Sequence, residues 1–257
     1  MKHTAPVFGL ALLGGAALAM PAHAVLQFSA DIGGTLIQCV DQTACDSNLA
    51  IGTITTVVPV VVPNGGGTVT FLGSAQTQTT GTNNTLTTTS FQIENTGPAV
   101  DVTIAVGGTD FVGPVTSISN SGSGTWTNAG GSAITLQFYA DTANGQGGES
   151  PTDTPGTQLA NSGVLNAVGP ADSINYNSGL VPFADANAYS MTLFTTGTIA
   201  AGSLAVPSQL TGRSQTMVAV NEVPEPSSLL ILGGGLFGLG ALLHRRHRRN
   251  SGGLEAA

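Results

Sequence analysis

Between residues 25 and 226, apolar residues come in short runs that alternate with polar ones and stop at glycine-rich breaks; no helical period is sustained there. Ile134-Leu136-Phe138 and Met191-Leu193 put every second side chain on one face, which is the spacing of a half-buried strand. Residues 51–62 are rich in β-branched side chains, which suit a pleated surface. Further runs at 68–72, 90–95, 99–106, 111–118, 133–140, 158–168, 189–199 and 216–220 read as strands. Asn64-Gly65-Gly66-Gly67, Asn95-Thr96-Gly97-Pro98 and Gly107-Gly108 supply turn chemistry between them. Many short strands with regular turns imply an all-β fold, an antiparallel β-sandwich of jelly-roll or Ig-like type. An irregular β-solenoid is the alternative, although the chain has no fixed repeat. Two polar stretches, 74–90 and 141–156, read as long loops, with a polar strand, a flexible arm or a glycosylation site as alternatives for the first.

The surface of this domain is polar through hydroxyls and amides. Charged residues make up 8% of the chain, well below the roughly 25% of ordinary soluble domains. What charge there is has one sign: residues 25–226 hold thirteen carboxylates against a single basic residue, Arg213. Such a domain repels phosphate backbones, so nucleic acid is not an expected partner.

Both ends of the chain differ from the middle. Lys2 and His3 precede an apolar run over residues 7–20, followed by Pro21 and the Ala22-His23-Ala24 triplet. A short positive start, an apolar core and a small-x-small site are the parts of a secretory signal peptide, with signal peptidase cleaving after Ala24. Residues 1–24 are therefore expected to be removed, leaving an ectodomain at 25–222.

At the other end, Pro224-Glu225-Pro226 is followed by an apolar stretch and then by Arg245, Arg246, Arg248 and Arg249. A helix over 227–243 rises about 26 Å, a little under the ~30 Å hydrocarbon core of a bilayer. The arginines act as a membrane stop and stay in the cytoplasm, which puts the acidic domain outside. The two end segments thus predict one topology independently. Two prolines also hold the backbone extended just above the membrane, because neither joins a helix or a ladder freely. A Gly233-x-Gly235-x-x-Gly238 match to a dinucleotide fingerprint falls inside the apolar span and carries no nucleotide reading.

The order Pro-Glu-Pro, short apolar helix, arginine cluster resembles the PEP-CTERM sorting domain over residues 223–249. The resemblance implies that Pro224, Glu225 and Pro226 form the motif read by exosortase, a membrane-bound transpeptidase-like enzyme. It further implies cutting near that motif and transient membrane association. The implied end point is the cell surface or extracellular matrix of a Gram-negative bacterium that also makes exopolysaccharide. This chain extends past the arginines by residues 250–257, expected to be a disordered tail.

The chemistry open to the ectodomain is narrow. All four histidines and the one lysine lie in the end segments, so Ser-His-Asp, Cys-His and Ser-Lys catalysis have no members in the ectodomain. Paired carboxylates acting on a glycosidic bond remain, with Asp110 beside Phe111 as one partly buried candidate. Cys39 and Cys45, an even pair in an exported chain, are expected to form a disulfide; a zinc site would want four ligands and no histidine is near. No cofactor is expected, apart from calcium held by Asp141, Asn144, Glu149 and Asp153, whose spacing is not that of an EF-hand. Trp126, between two glycine-rich stretches, is the candidate for a loop tip that stacks on sugar rings, with Tyr139, Tyr176 and Tyr189 behind it. The expectation is a non-enzymatic structural or adhesive protein associated with exopolysaccharide. The alternative is a carbohydrate-binding module, with or without calcium.

Overall fold

The computed structural model describes residues 25–56, 59–80 and 83–220. The expected signal peptide, Pro-Glu-Pro motif, membrane helix, arginine cluster and tail lie outside these residues. Thirteen strands fill the described chain: β1 (Leu26–Ile32), β2 (Thr35–Val40), β3 (Thr53–Thr55), β4 (Val60–Asn64), β5 (Gly67–Thr80), β6 (Asn83–Asn95), β7 (Val100–Phe111), β8 (Val115–Thr127), β9 (Ala133–Asp141), β10 (Thr157–Asn166), β11 (Ala171–Asp185), β12 (Tyr189–Ile199) and β13 (Ser208–Val220).

They form a six-stranded sheet in the order β10-β9-β12-β7-β1-β2 and a seven-stranded sheet in the order β11-β8-β13-β6-β5-β3, with β4 beside β5. The pairings among the described residues are antiparallel. From β6 to β13, each connection crosses between sheets except the one from β9 to β10. That winding makes two four-strand blocks, β7-β12-β9-β10 and β6-β13-β8-β11, which is jelly-roll order rather than immunoglobulin order.

The sheets face one another across one sandwich-like core. Phe28 of β1 meets Phe71 of β5 at 6.1 Å between ring centroids, Phe138 of β9 stacks on Tyr176 of β11 at 5.7 Å, and Phe183 of β11 meets Tyr189 of β12 at 5.6 Å. Each pair joins the two sheets. A polar suture joins them as well. Gln215 of β13 is 1% exposed, and its side-chain amide donates to the carbonyls of Gln137 (2.9 Å) and Phe194 (3.2 Å), both in the opposite sheet. Its Oε1 accepts from the Thr195 hydroxyl at 3.0 Å.

Several expectations about local structure are corrected. The 74–90 stretch is not a loop: 74–80 completes β5 and 83–90 opens β6, a long hairpin. Thr is β-branched and suits a strand, and Ala75 and Leu86 turn into the core between the polar positions. The 51–62 run splits into β3 and β4, and the 111–118 run contains the end of β7, a break at 112–114 and the start of β8. The strands β1, β2 and β11 were not among the expected runs. In β11, Asn, Gly and Pro interrupt the apolar pattern, which an edge strand tolerates because one side of its ladder is free.

The register also fixes where the chain enters and leaves. The turns at 33–34, 65–66, 96–99, 128–132, 167–170 and 200–207 lie at one end of the sandwich. At the opposite end, Val25 O accepts from Thr109 N near the end of β7, and Val220 pairs with Ser117 and Asn83 beside the β7–β8 turn. Residues 25 and 220 therefore leave the domain from the same end.

Replacing Gln215 by Leu is expected to cost roughly 2–4 kcal/mol, because two carbonyls and a hydroxyl lose their buried partner. A urea titration of the two proteins checks this.

Candidate functional site

Cys39 and Cys45 form a disulfide with Cα atoms 5.6 Å apart, as expected. The segment it pins is organised by two carboxylates. Asp46 is buried; its Oδ1 accepts from Asn48 N (2.8 Å) and Thr55 N (2.9 Å), and its Oδ2 from Gln42 N (3.2 Å). Asp41 Oδ2 accepts from Gly52 N at 2.6 Å, while its Oδ1 is buried without a partner among the described residues. Burial raises the Asp41 pKa above the usual carboxylate value, and the charge of Asp46 adds to the rise; the Gly52 N–H pulls the other way. Sequence reasoning singled out the cysteines but not these acids. A carboxylate two residues after Cys39 and another directly after Cys45 were the available signal.

The 141–156 stretch is a loop, and it lies as a strap across the outer face of the six-stranded sheet. A Cβ added at Gly147 would come 2.1 Å from Thr192 Oγ1 of β12, and one at Gly107 of β7 would come 2.0 Å from Gly147 O, so backbone lies directly on backbone. Gln146 Nε2 donates to Gly107 O (3.3 Å), and Gln38 Nε2 of β2 donates to Glu149 O. The strap is anchored by a reciprocal pair: Asp110 N donates to Asn144 Oδ1 and Asn144 Nδ2 donates to Asp110 Oδ1, each at 2.8 Å. Both residues have positive φ, +60° and +57°, in the region where Asn and Asp are the best-tolerated residues after Gly. This is the role Asp110 plays.

The four residues expected to ligate calcium are placed by the same strap. Asp141 accepts from Ala143 N (3.0 Å) and Gly145 N (3.0 Å), Asn144 is paired with Asp110, and Asp153 Oδ2 accepts from Glu149 N at 3.3 Å. Among the described residues no three His, Cys, Asp or Glu side chains converge, so Asp141, Glu149 and Asp153 are not gathered at one point.

Trp126 requires a correction. It is not at a loop tip: it lies in β8 and is 0% exposed, with its indole N–H buried and unpaired among the described residues. Flanking glycines suggested a loop, but Gly122 and Gly124 belong to the strand; at Gly122 a Cβ would meet Leu136 at 2.4 Å. Trp126 therefore offers no face to a sugar. Tyr189 is also buried; its hydroxyl accepts from Asn84 Nδ2 at 3.0 Å, and burial pushes its pKa up to about 12. Tyr176 is half-buried against Phe138, and Tyr139 half-buried with its ring edge-on to Phe194.

Two surface concavities lie on the domain; of their lining residues the sequence named only Tyr176 as a candidate contact. One, about 370 Å³, lies at the end away from residues 25 and 220 and is lined by Asp31, Gly33, Gly34, Asn64, Val100 and Asp101, among others. The other, about 450 Å³, lies between β8, β11 and β13 and is lined by Ser121, Gly122, Ser123, Asn175, Tyr176, Asn177 and Ser214. Pairings Asn175–Ser123–Ser214 and Asn177–Ser121–Thr216 align its polar side chains in rows across the strands.

Comparison with known proteins places residues 222–249 in a PEP-CTERM protein-sorting motif. No curated protein matches the chain. Among solved structures, the chain is similar to one described as the structure of infectious bursal disease virus Gx strain, at 13% identity and a TM-score of 0.31. That match covers 82% of this chain and 60% of the other, so this chain spans less than two thirds of its length. A second, the structure of infectious bursal disease virus Gt strain, shows 9% identity and a TM-score of 0.20, covering 86% of this chain and 74% of the other.

Two outcomes follow from this geometry. The raised Asp41 pKa means that the folded form binds a proton more readily than the unfolded chain does. The protonated form's extra stability is full below the unfolded pKa and is lost as pH rises through the folded value. Asp41→Asn, which keeps an acceptor for Gly52 N and removes the charge beside Asp46, is expected to raise Tm at pH 7 and to raise it less at pH 3. The gain should be a few degrees at most, since about 1 kcal/mol moves Tm by about 2–4 °C in a domain of this size. Calorimetry at the two pH values checks this. Trp126→Ala is expected to cost about 3–5 kcal/mol as a core truncation. Denaturant unfolding reads that loss directly.

Proposed function

We propose that this chain, whose residues 222–249 carry the PEP-CTERM sorting motif, is a structural or adhesive protein of the cell surface or extracellular matrix. The motif implies an exported, membrane-anchored precursor processed by exosortase. Signal peptidase removes residues 1–24, the 227–243 segment holds the precursor in the inner membrane, and Arg245, Arg246, Arg248 and Arg249 keep its far end in the cytoplasm. The delivered part is the β-domain, which then associates with exopolysaccharide on a Gram-negative cell.

The observation that carries this reading is the shared exit of residues 25 and 220. A domain with a leader before its first strand and a sorting segment after its last can be held at one membrane by both. Its six-turn end then points away from that membrane. The disulfide between Cys39 and Cys45 fits delivery to an oxidising compartment. The reading assigns no catalytic role to the domain, in keeping with the absence of His and Lys from residues 25–222. It also assigns no cofactor.

The test is fractionation of cells with and without exosortase, with the mature C-terminus located by mass spectrometry. In wild-type cells the protein should lack Arg249 and lie with the surface or matrix fraction; without exosortase it should retain Arg249 and stay with the inner membrane. Retention of Arg249 in both strains would mean an ordinary permanent anchor and would overturn the sorting route.

A further inference from the structure

We infer that the outer face of the seven-stranded sheet is a binding face for a neutral polysaccharide chain, seated in the trough between β11, β8 and β13. This rests on the reading that the delivered domain associates with exopolysaccharide, and it says where and by what chemistry.

The alternation of a strand sends every second side chain outward, and register lines up the outward ones across neighbouring strands about 4.8 Å apart. Here that produces one row of Asn175, Ser123 and Ser214, and a second of Asn177, Ser121, Thr216, Thr87, Gln76 and Thr53, in which Thr87 is buried and shares a 2.7 Å hydrogen bond with Thr216. The second row crosses six strands, a span of roughly 24 Å. Every member carries a hydroxyl or an amide, and none carries a charge. Designed soluble surfaces are usually built with about 25–35% charged residues. The ectodomain, residues 25–222, holds twelve carboxylates and one basic residue, so this strip is a neutral window on an acidic body.

The donors and acceptors along the trough are open to a ligand. Ser121 and Asn175 have no side-chain hydrogen-bond partner among the described residues, and both line the 450 Å³ concavity. Ser123 and Ser214 share one hydrogen bond at 3.0 Å, which leaves each with further capacity. Asn177 is pre-set by a bulge. Its Oδ1 accepts from Gly179 N at 2.7 Å, Gly179 has φ +66°, and Ser178 Oγ accepts from Asn120 N of β8 at 3.2 Å. The Asn177 Nδ2 is left without a protein partner among the described residues. The same triplet recurs on the edge strand of the other sheet: Asn161 Oδ1 accepts from Gly163 N at 2.8 Å, and Ser162 Oγ accepts from Leu136 N at 2.9 Å. The β10 copy shows what the triplet does for a sheet edge; the β11 copy additionally aims an amide into the trough.

A sugar hydroxyl both donates and accepts, so a field of hydroxyls and amides meets it without leaving a buried polar group unpaired. Among the described side chains that line the trough there is no cation to recognise an acidic polymer, and the body of the domain repels one. The aromatic in its described lining, Tyr176, is half-buried and stacked on Phe138, so each contact is weak and retention comes from many contacts along one chain.

The test uses the mature full protein in native gels containing a neutral polysaccharide (dextran, a mannan or a β-1,3-glucan) or an anionic one (polygalacturonate). At least one neutral polymer should retard the wild type, and polygalacturonate should not. Asn177→Asp keeps the bulge acceptor but removes the free donor and adds charge; it and Ser121→Asp should weaken retardation at least fivefold, with Tm close to wild type. Asn161→Asp, the same change on β10, should bind as wild type does. Equal binding by all three variants, retardation only by polygalacturonate, or no retardation by any neutral polymer would overturn the inference. Sedimentation with the cell's own polysaccharide, run in parallel, separates the two levels. Trough variants that co-sediment like the wild type end this inference alone, and a wild type that does not co-sediment ends the exopolysaccharide reading with it.

Discussion

Neither sheet of this domain can be completed without the other, and the rest of the structure follows from that constraint. From β6 to β13 the chain changes sheet at every connection but one, so each added strand is paired with partners distant in sequence. The aromatic contacts that join the sheets, Phe28 with Phe71 and Phe183 with Tyr189, form only once both layers are present. Gln215 adds a polar condition to the apolar one, because its amide is held by carbonyls of the opposite layer. Such topology carries high contact order and so folds slowly, which favours protection of exposed edges during assembly. The matched Asn-Ser-Gly bulges on β10 and β11 do this: both strands are sheet edges, and both are broken out of regular ladder geometry at that triplet.

The same winding separates the domain into working parts. Residues 25 and 220 lie at one end of the domain, so the described chain begins and finishes there. The strap over the six-stranded sheet covers one outer face by close backbone contact at Gly107 and Gly147. The facing sheet keeps a broad polar outer surface. The two outer faces thus differ in kind, one covered by chain and the other presenting hydroxyls and amides.

Much of this was legible beforehand. Alternation is plain in β9, where burial alternates residue by residue, and in Met191 and Leu193 of β12, which turn into the core; the disulfide followed from an even cysteine count in an exported chain. The misreadings share a cause. The 74–90 segment looked like a loop because threonine is both polar and β-branched, and composition does not say which property will count. Trp126 looked exposed because glycine marks turns, but it also marks places where a neighbouring side chain such as Leu136 approaches too closely for a Cβ. The trough was invisible because its members come from several strands, and serine or asparagine at any one position is ordinary.

What the sequence determined by itself was everything carried by local order: the sorting motif with its Pro-Glu-Pro and arginines, and a middle of strands that holds no histidine or lysine. These depend on residues adjacent along the chain, where composition and spacing are enough. What only the tertiary structure decided was which faces are covered and which side chains stand together. Burial of Trp126 and Gln215, the Asp110–Asn144 clasp and the rows of hydroxyls depend on register between strands far apart in sequence. A shift of one residue would turn each side chain to the other face.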